Sequence, residues 1–177
     1  MVIDFLKTAI SLKKIQRQGW IDKLSISNPE SVADHTYSMA VIGMIISDLE
    51  DYDSEKILKM TLLHDLAESK VGDFVPGEIS TDKKIKLEND AFLKIIENLS
   101  EPIKSQYQKI WQEYQKGDSK ESMIVHQIDK LEMALQAKAY ENEGYSKDKL
   151  VSFIESAEMG ITDPKLKEIL RKSLEEK

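Results

Sequence analysis

The chain has 177 residues, of which 25 are Lys or Arg and 32 are Asp or Glu, so its formal net charge at pH 7 is −7. At this length we expect a single domain over residues 1–177, which would bury about 70% of the surface of the unfolded chain. The acidic balance argues against a nucleic-acid polymer as partner, because that binding depends on clustered cations. One phosphorylated small molecule at a local site stays possible.

The chain contains no cysteine. This excludes disulfides, thiolate metal sites and a cysteine nucleophile, and it fits a reducing compartment. The amino terminus lacks the pattern of a secretory signal, and the longest apolar stretch, 39–46, is too short to cross a bilayer. We therefore expect a cytoplasmic protein without a membrane segment.

Helical patterns run along most of the sequence. Apolar spacing predicts a first helix that ends before Gly19, and Ser31 with Asp34 forms a capping-box pattern that predicts the start of another. Ser54 is predicted to cap the next helix. Five more helices are predicted over 84–99, 103–116, 119–142, 147–158 and 164–175, with the last packing on the rest.

Two segments, 19–30 and 69–82, lack the helical pattern and are predicted as loops. Loops of this length in a compact helical domain are usually functional. No stretch alternates polar and apolar residues as a sheet strand does. The sequence therefore predicts an all-α protein, a single compact helical bundle.

Acidic and imidazole side chains interrupt the apolar helices at a few positions. His64 and Asp65 follow an apolar run at the predicted end of a helix, where an uncompensated charge is costly. Glu68 lies three and four residues further on, so the three side chains can converge. Taken alone, each residue has a simpler interpretation, such as Glu68 as a solvated helix residue.

Two further positions complete the pattern. His35 lies in the first turn of its predicted helix, and Asp129 lies inside a strongly apolar helix, where Lys130 offers a simple structural partner. Two imidazoles and two or more carboxylates from three helices can hold one divalent cation, which would compensate the crowded carboxylates. Such an ion can lower the pKa of a bound water and polarise a phosphoryl oxygen.

The order His35, His64, Asp65, Asp129 resembles the signature of HD-domain metal-dependent phosphohydrolases. Longer motifs are similar to the 5′-deoxynucleotidase branch, which includes the bacterial YfbR-type enzymes and the eukaryotic HD domain-containing 2 proteins. The resemblance covers residues from about 5 to 160 and implies an HD-domain helical bundle. The motifs that carry it are RQGW from Arg17, PESVADH ending at His35, HDLAE from His64, VGD ending at Asp73 and DKLEMALQ from Asp129.

The resemblance implies a metal site and an activity. His35, His64, Asp65 and Asp129 match the four metal ligands. The ion would be cobalt, manganese or magnesium. Family members remove the 5′-phosphate from deoxyribonucleoside monophosphates, and the resemblance favours a homodimer.

The resemblance also implies roles for residues beyond the metal ligands. Glu68 matches a catalytic carboxylate that positions or deprotonates water or protonates the leaving oxygen. Asp73 matches a second acidic residue, which acts in catalysis and contacts the sugar or a second ion. Arg17 matches the phosphate-binding arginine. A guanidinium grips phosphate with two parallel hydrogen bonds, although an arginine that ends the first helix is the simpler interpretation of Arg17 by itself.

Two positions depart from the family pattern. Bacterial members place a tryptophan directly after the arginine, whereas here two residues intervene before Trp20, the matching candidate for substrate binding. His126 lies three residues before Asp129, so it either supports the site or faces the phosphate, or it is a packed or surface histidine. Two other functions stay open: hydrolysis of another nucleotide phosphate, such as a triphosphate or an alarmone, and a non-catalytic metal-containing regulatory module.

Overall fold

A computed structural model describes residues 2–175 of the chain. Within that range ten α-helices and one short 3-10 turn, Leu12–Lys14, account for the regular structure, and no sheet strand is formed. The predicted all-α fold is thus confirmed. The helices are α1 (Val2–Ser11), α2 (Gln18–Leu24), α3 (Val32–Leu49), α4 (Ser54–Leu63), α5 (Glu68–Val71), α6 (Thr81–Ile96), α7 (Glu101–Lys116), α8 (Lys120–Asn142), α9 (Lys147–Gly160) and α10 (Pro164–Glu175).

The starts of α3 and α4 follow local capping chemistry. The predicted capping box is present: the Ser31 hydroxyl accepts a hydrogen bond from the Asp34 N–H, and the Asp34 carboxylate accepts one from the Ser31 N–H. Helix α4 differs from the prediction, because Asp53 rather than Ser54 caps it, with its carboxylate 3.0 Å from the backbone nitrogen of Lys56. An Asp at this position also places negative charge at the positive end of the helix.

Helix α2 begins at Gln18 and covers residues 19–24 of the predicted loop 19–30, so the loop prediction is wrong for the first part of that segment. Trp20 and Leu24 lie one turn apart, and both are buried in a cluster with Tyr140 and Leu150. Burial of this face outweighs the low helix propensity of Gly19. The rest of the segment is not helical, and in the second predicted loop, 69–82, α5 occupies the start and α6 begins at Thr81.

The main core brings α3 and α4 against α8. Gly43 on α3 permits the close approach of α4, since a Cβ atom there would lie 2.9 Å from Cγ2 of Ile57. This packing directs the start of α3 and the end of α4 toward the middle of α8. Helix α10 packs on the same core through Leu166 and Leu170, as expected for the last helix. That residues 1–177 form one domain stays a prediction.

Within residues 2–175, none of the helices combines the length and apolar character needed to cross a membrane.

Candidate metal and phosphate site

Two buried histidines lie beside each other at the start of α3 and the end of α4, with their ring centroids 5.6 Å apart. His64 directly follows α4, and its Nδ1 lies 2.6 Å from the carbonyl oxygen of Thr61. Because a carbonyl can only accept, Nδ1 carries the proton and donates it. His35, in the first turn of α3, has its Nδ1 2.5 Å from Oε2 of Glu132 on α8. Both rings therefore have Nδ1 engaged, which leaves Nε2 as the free position.

Carboxylates lie close to both Nε2 atoms. Oδ1 of Asp129 is 3.2 Å from Nε2 of His35, and Oδ2 of Asp65 is 3.0 Å from Nε2 of His64. Asp65 also approaches His35, at 3.8 Å. The ligand atoms of His35, His64 and Asp129 all lie within 4.8 Å of one another. The structure thus brings together the four residues that the sequence indicated as metal ligands. His35, His64 and Asp129 form the group within 4.8 Å, and Asp65 lies beside the two histidines.

The donor set fits a divalent cation. Within the described chain, Nε2 of His35 and Nε2 of His64 are buried without a hydrogen-bond partner, although carboxylate oxygens lie beside them. Ligand bonds of about 2.1 Å to one ion place neighbouring donor atoms about 3 Å apart, and the pairs His35–Asp129 and His64–Asp65 have this spacing. Two imidazoles and two carboxylates suit a hard or borderline ion.

The electrostatics of the pocket also favour a cation. Burial and the charge of Arg17 lower the pKa of His35, but attraction to Asp129 and Glu132 outweighs both effects and raises this pKa to about 10. Burial raises the pKa of Asp129, but His35 and Arg17 bring it down to about 2. The negative field that holds a proton on imidazole stabilises a metal ion at the same place.

Arg17 lies directly before α2, and its guanidinium enters the same pocket. Its Nη1 is 3.4 Å from Oδ2 of Asp65 and 3.9 Å from Oδ1 of Asp73. Burial lowers the pKa of Arg17, but the charges of Asp65, Asp73 and Asp129 raise it well above its usual value. A permanent cation therefore stands beside the carboxylates. The alternative of an arginine that ends the first helix does not hold, because α1 ends at Ser11.

Glu68, the first residue of α5, is the most deeply buried acid of the site apart from Glu132. Its side chain is almost fully buried, and its Oε2 has no hydrogen-bond partner among residues 2–175. Burial, reinforced by the charges of Asp65 and Asp73, raises the pKa of Glu68 well above its usual range. This group therefore holds its proton to a higher pH than a solvated helix glutamate does.

Asp73 connects the loop after α5 with the start of α2. Its Oδ2 accepts a hydrogen bond of 2.8 Å from the backbone N–H of Gln18. A surface cavity of about 370 Å³ adjoins it, lined among others by Gln16, Ile21 and Phe74. The Asp73 carboxylate therefore lies between the Arg17 guanidinium and an open cavity.

Trp20 is not brought to the surface of the site. Its side chain is only 1% exposed, and it packs against Phe153 and Tyr140. The indole Nε1–H donates to Oε1 of Glu30 at 2.7 Å. The predicted substrate contact at Trp20 therefore disagrees with the structure, because hydrophobic burial of the indole leaves it no surface for a nucleotide.

His126 belongs to a packed aromatic group. Its ring stacks on Tyr114 of α7, with centroids 4.2 Å apart, and its Nε2 lies 3.0 Å from the Tyr114 carbonyl oxygen. The Tyr114 ring in turn meets His64 edge-on at 5.7 Å. This arrangement matches the interpretation of His126 as a packed histidine, since its Nε2 is committed to a backbone carbonyl.

Sequence reasoning missed two acids near the site. Glu132 is 3% exposed at the His35 ring, and its signal was a charged residue in an apolar stretch, one helical turn after Asp129. Glu88 of α6 pairs with Lys84, whose Nζ is 3.5 Å from Oε1 of Glu88. The Lys130 ammonium donates a hydrogen bond to the Ser156 hydroxyl. It is therefore not the structural partner of Asp129.

Comparison with known proteins identifies the family. A family model described as "HD domain" matches residues 9–172. The chain belongs to the HD-domain family. The 5′-deoxynucleotidase HDDC2 of Dictyostelium discoideum is 39% identical to this HD domain over 165 residues, which cover 87% of the chain and 86% of that relative. The 5′-deoxynucleotidase HDDC2 of Homo sapiens is 32% identical over 170 residues, covering 96% and 82%.

Solved structures also share this fold. The PH0347 protein from Pyrococcus horikoshii OT3 superposes on the HD domain with a TM-score of 0.78 at 30% identity, covering 97% of each chain. The resemblance inferred from the sequence motifs is therefore confirmed at the level of the family.

Proposed function

We propose that this chain is a metal-dependent 5′-deoxynucleotidase, which hydrolyses deoxyribonucleoside 5′-monophosphates to nucleoside and phosphate. The observation that carries the proposal is the cluster of His35, His64 and Asp129 within 4.8 Å, with two buried Nε2 atoms and the Arg17 guanidinium beside it. The names of the HDDC2 relatives support the choice of reaction.

His35, His64, Asp65 and Asp129 would hold one divalent ion, for which cobalt, manganese and magnesium are the candidates. When bound, such an ion lowers the pKa of a coordinated water and polarises a phosphoryl oxygen. The two histidines are suited to this task because both have Nδ1 engaged, which presents Nε2 as the donor.

Arg17 would hold the phosphate. A guanidinium binds two phosphoryl oxygens at once and stays charged at every working pH. Asp65 and Asp73 fix its position, at 3.4 and 3.9 Å, before any substrate arrives. Positioning of this kind lowers the entropic cost of reaching an in-line geometry.

Glu68 would supply the proton for the leaving group. In the hydrolysis a water oxygen forms a bond to phosphorus, and the bond between phosphorus and O5′ of the sugar breaks. Burial raises the pKa of Glu68, so its carboxyl keeps a proton to a higher pH than a solvated glutamate does, and Oε2 would donate this proton to O5′ as the bond breaks. The attacking water keeps one proton as a hydroxyl of the phosphate product and gives the other to the Glu68 carboxylate, which is then protonated for the next cycle.

Asp73 would contact the sugar, with the rest of the nucleoside in the adjoining cavity of about 370 Å³. One carboxylate oxygen of Asp73 accepts from Gln18, which leaves the other able to accept from a sugar hydroxyl. Trp20 has no place in this contact, since it is buried.

The test is phosphate release from a panel of 5′-mono-, tri- and cyclic nucleotides, with protein stripped of metal and reloaded with Co²⁺, Mn²⁺ or Mg²⁺. We expect turnover of deoxyribonucleoside 5′-monophosphates and none with Asp65→Ala. Activity on triphosphates or alarmones alone would overturn the substrate assignment. Nucleotide binding that Glu68→Ala alters, without any hydrolysis by the loaded wild type, would indicate a regulatory module.

We further propose that the protein is a homodimer. Large apolar side chains on α3 and α4, namely Ile45, Leu49 and Leu62, are about half exposed, and we propose that they lie in the interface between the two copies. Light scattering after size-exclusion chromatography should give twice the mass of one chain, and Leu49→Glu should give a monomer.

The remaining proposals concern domain organisation and location. We propose one HD domain over the whole chain, supported by the family match over residues 9–172. We also propose a cytoplasmic location, with which the lack of cysteine agrees. A single cooperative unfolding transition and recovery of the protein in the cytoplasmic fraction of its cells would test the two points.

A further inference from the structure

Two carboxylates of α8 contact the two nitrogens of one imidazole. Asp129 and Glu132 are three residues apart, so they lie on the same helix face. Oδ1 of Asp129 is 3.2 Å from Nε2 of His35, and Oε2 of Glu132 is 2.5 Å from Nδ1. We propose that Glu132 is a positioning residue for the metal ligand His35. It accepts the Nδ1–H and thereby fixes the tautomer and ring orientation in which Nε2 faces the ion.

The burial of the pair supports this role. The side chain of His35 is 0% exposed and that of Glu132 is 3% exposed. A buried carboxylate is costly unless a charged or hydrogen-bonding partner compensates it, and the short distance to Nδ1 provides that partner. A carboxylate that accepts from Nδ1–H also makes Nε2 a stronger donor to a metal.

The two histidines are oriented by different means. His64 donates its Nδ1–H to the carbonyl oxygen of Thr61, which lies on its own helix. His35 has a side-chain acceptor from another helix, and that acceptor brings a negative charge. Substitution can therefore remove the acceptor of His35 without changing the backbone, which makes the proposal testable.

A second metal site is a weaker interpretation of the same residues. Ligand atoms of Glu30, His35 and Glu132 lie within 4.8 Å of one another. However, 2.5 Å between Nδ1 and Oε2 is a hydrogen-bond distance, shorter than the spacing of about 3 Å expected between two ligands of one ion. Nδ1 is therefore already used by the hydrogen bond.

Glu30 forms a second layer behind Glu132. Its carboxylate accepts the indole N–H of Trp20, and its backbone N–H donates to the hydroxyl of Tyr140. The buried aromatic cluster thus holds Glu30 in place, and Glu30 lies next to Glu132. Trp20 contributes to the site through this support rather than through contact with the substrate.

The proposal rests on the metal site of the proposed function, and its test measures metal binding directly. Metal-free wild type, Glu132→Gln and Glu132→Ala are titrated with Mn²⁺ by calorimetry. We expect the dissociation constant to rise about 10-fold for Gln, which can accept a hydrogen bond without charge, and up to about 100-fold for Ala. Glu88→Gln, the same loss of charge near the site without contact to His35, should stay within about threefold.

Kinetics separate positioning from a role at the substrate. At saturating Mn²⁺ we expect Glu132→Gln to recover most of the wild-type kcat and to keep its KM for the nucleotide, because Glu132 touches neither phosphate nor sugar. A KM that rises several-fold at saturating metal would overturn the positioning role.

The outcomes distinguish this proposal from the proposed function. Wild type that binds no divalent ion contradicts the proposed function itself. Wild type and Glu132→Gln that bind Mn²⁺ equally overturn only the role of Glu132. If the variants do not fold, the proposal can be tested on the wild type by NMR. With Zn²⁺ bound, long-range ¹H–¹⁵N correlations should show that His35 is protonated at Nδ1. Protonation at Nε2 instead would contradict the proposal.

Discussion

The guanidinium of Arg17 lies 3.4 Å from the carboxylate of Asp65, so the proposed phosphate-binding residue is held by a proposed metal ligand. This contact couples the two halves of the site. A change at either residue affects the other, because burial raises the pKa of Asp65 but the charges of His64 and Arg17 bring it well below its usual range. Removal of the Arg17 guanidinium should therefore lower kcat/KM by more than the loss of one solvent-exposed phosphate contact would.

We predict that Arg17→Ala lowers kcat/KM by about 100- to 1000-fold, the usual cost of removing one preorganised donor at the reacting group. Arg17→Lys should lose about 10-fold, since a point charge replaces a two-pronged contact. The chain provides a matched control in Arg171, an exposed residue on α10 paired with Glu175. Arg171→Ala should have wild-type kinetics, and a similar loss in both variants would contradict the assignment.

Metal binding should stabilise the fold, because an ion compensates carboxylates that repel one another. At 100 times its dissociation constant, Mn²⁺ should raise the free energy of unfolding by about 2.7 kcal/mol. For a chain of this size the melting temperature should then rise by about 5–10 °C. Asp129→Asn should show less than half of this rise in a thermal-shift assay. Equal rises in the two proteins would rule out Asp129 as a ligand.

The stability of the protein should fall as pH rises from about 4.5 to 7 through Glu30. Burial and the neighbouring charge of Glu132 raise the pKa of Glu30 from 4.5 to about 7. Between these values the folded state binds more protons than the unfolded state, so the free energy of unfolding decreases with pH and the penalty is complete above pH 7. For a shift of this size the penalty is about 3 kcal/mol.

Glu30→Gln removes this penalty while it keeps an oxygen for the indole N–H of Trp20. In urea melts with chelator present, the variant should be more stable than wild type at pH 8 and equal to it near pH 4.5. Glu155→Gln, at an exposed position of α9, should stay within about 0.5 kcal/mol at both pH values. A gain by Glu30→Gln that is the same at both pH values would refute the pKa argument.

Gly43→Ala should destabilise the protein by about 1–2 kcal/mol. A Cβ atom there would lie 2.9 Å from Cγ2 of Ile57 in the α3–α4 contact, and this overpacking outweighs the better helix propensity of alanine. Gly19→Ala on α2 is the matched control, because its nearest neighbour, Phe153, would be 3.7 Å away. That variant should be unchanged or slightly more stable, and a Gly43→Ala protein as stable as wild type would contradict the packing argument.

Sequence patterns predicted a helix correctly where the contacts that fix its ends lie within a few residues of each other. The capping box of Ser31 and Asp34 lies within four residues, so the sequence contains all of its partners. Helix α2 was missed because Gly19 is a poor helix former and the face that stabilises the helix packs on Tyr140, far away in the sequence. Propensity yields to burial at such positions.

The candidate metal ligands were predictable because histidines and aspartates in apolar helices need compensation. The orientation of their rings was not, since it depends on contacts such as that of His35 with Glu132, 97 residues apart. Trp20 shows the opposite failure. Its place near Arg17 in the sequence indicated a substrate contact, whereas only the fold reveals that the indole points away, into the aromatic cluster.

The two histidines differ in when their geometry can form during folding. His64 finds its acceptor three residues away, as soon as α4 exists, whereas His35 must wait until α8 has docked. A growing or partly unfolded chain therefore possesses only half of the donor set. The ion should then bind late in folding and stabilise the docked position of α8. A chain in which α8 is undocked should neither retain the ion nor hydrolyse nucleotides.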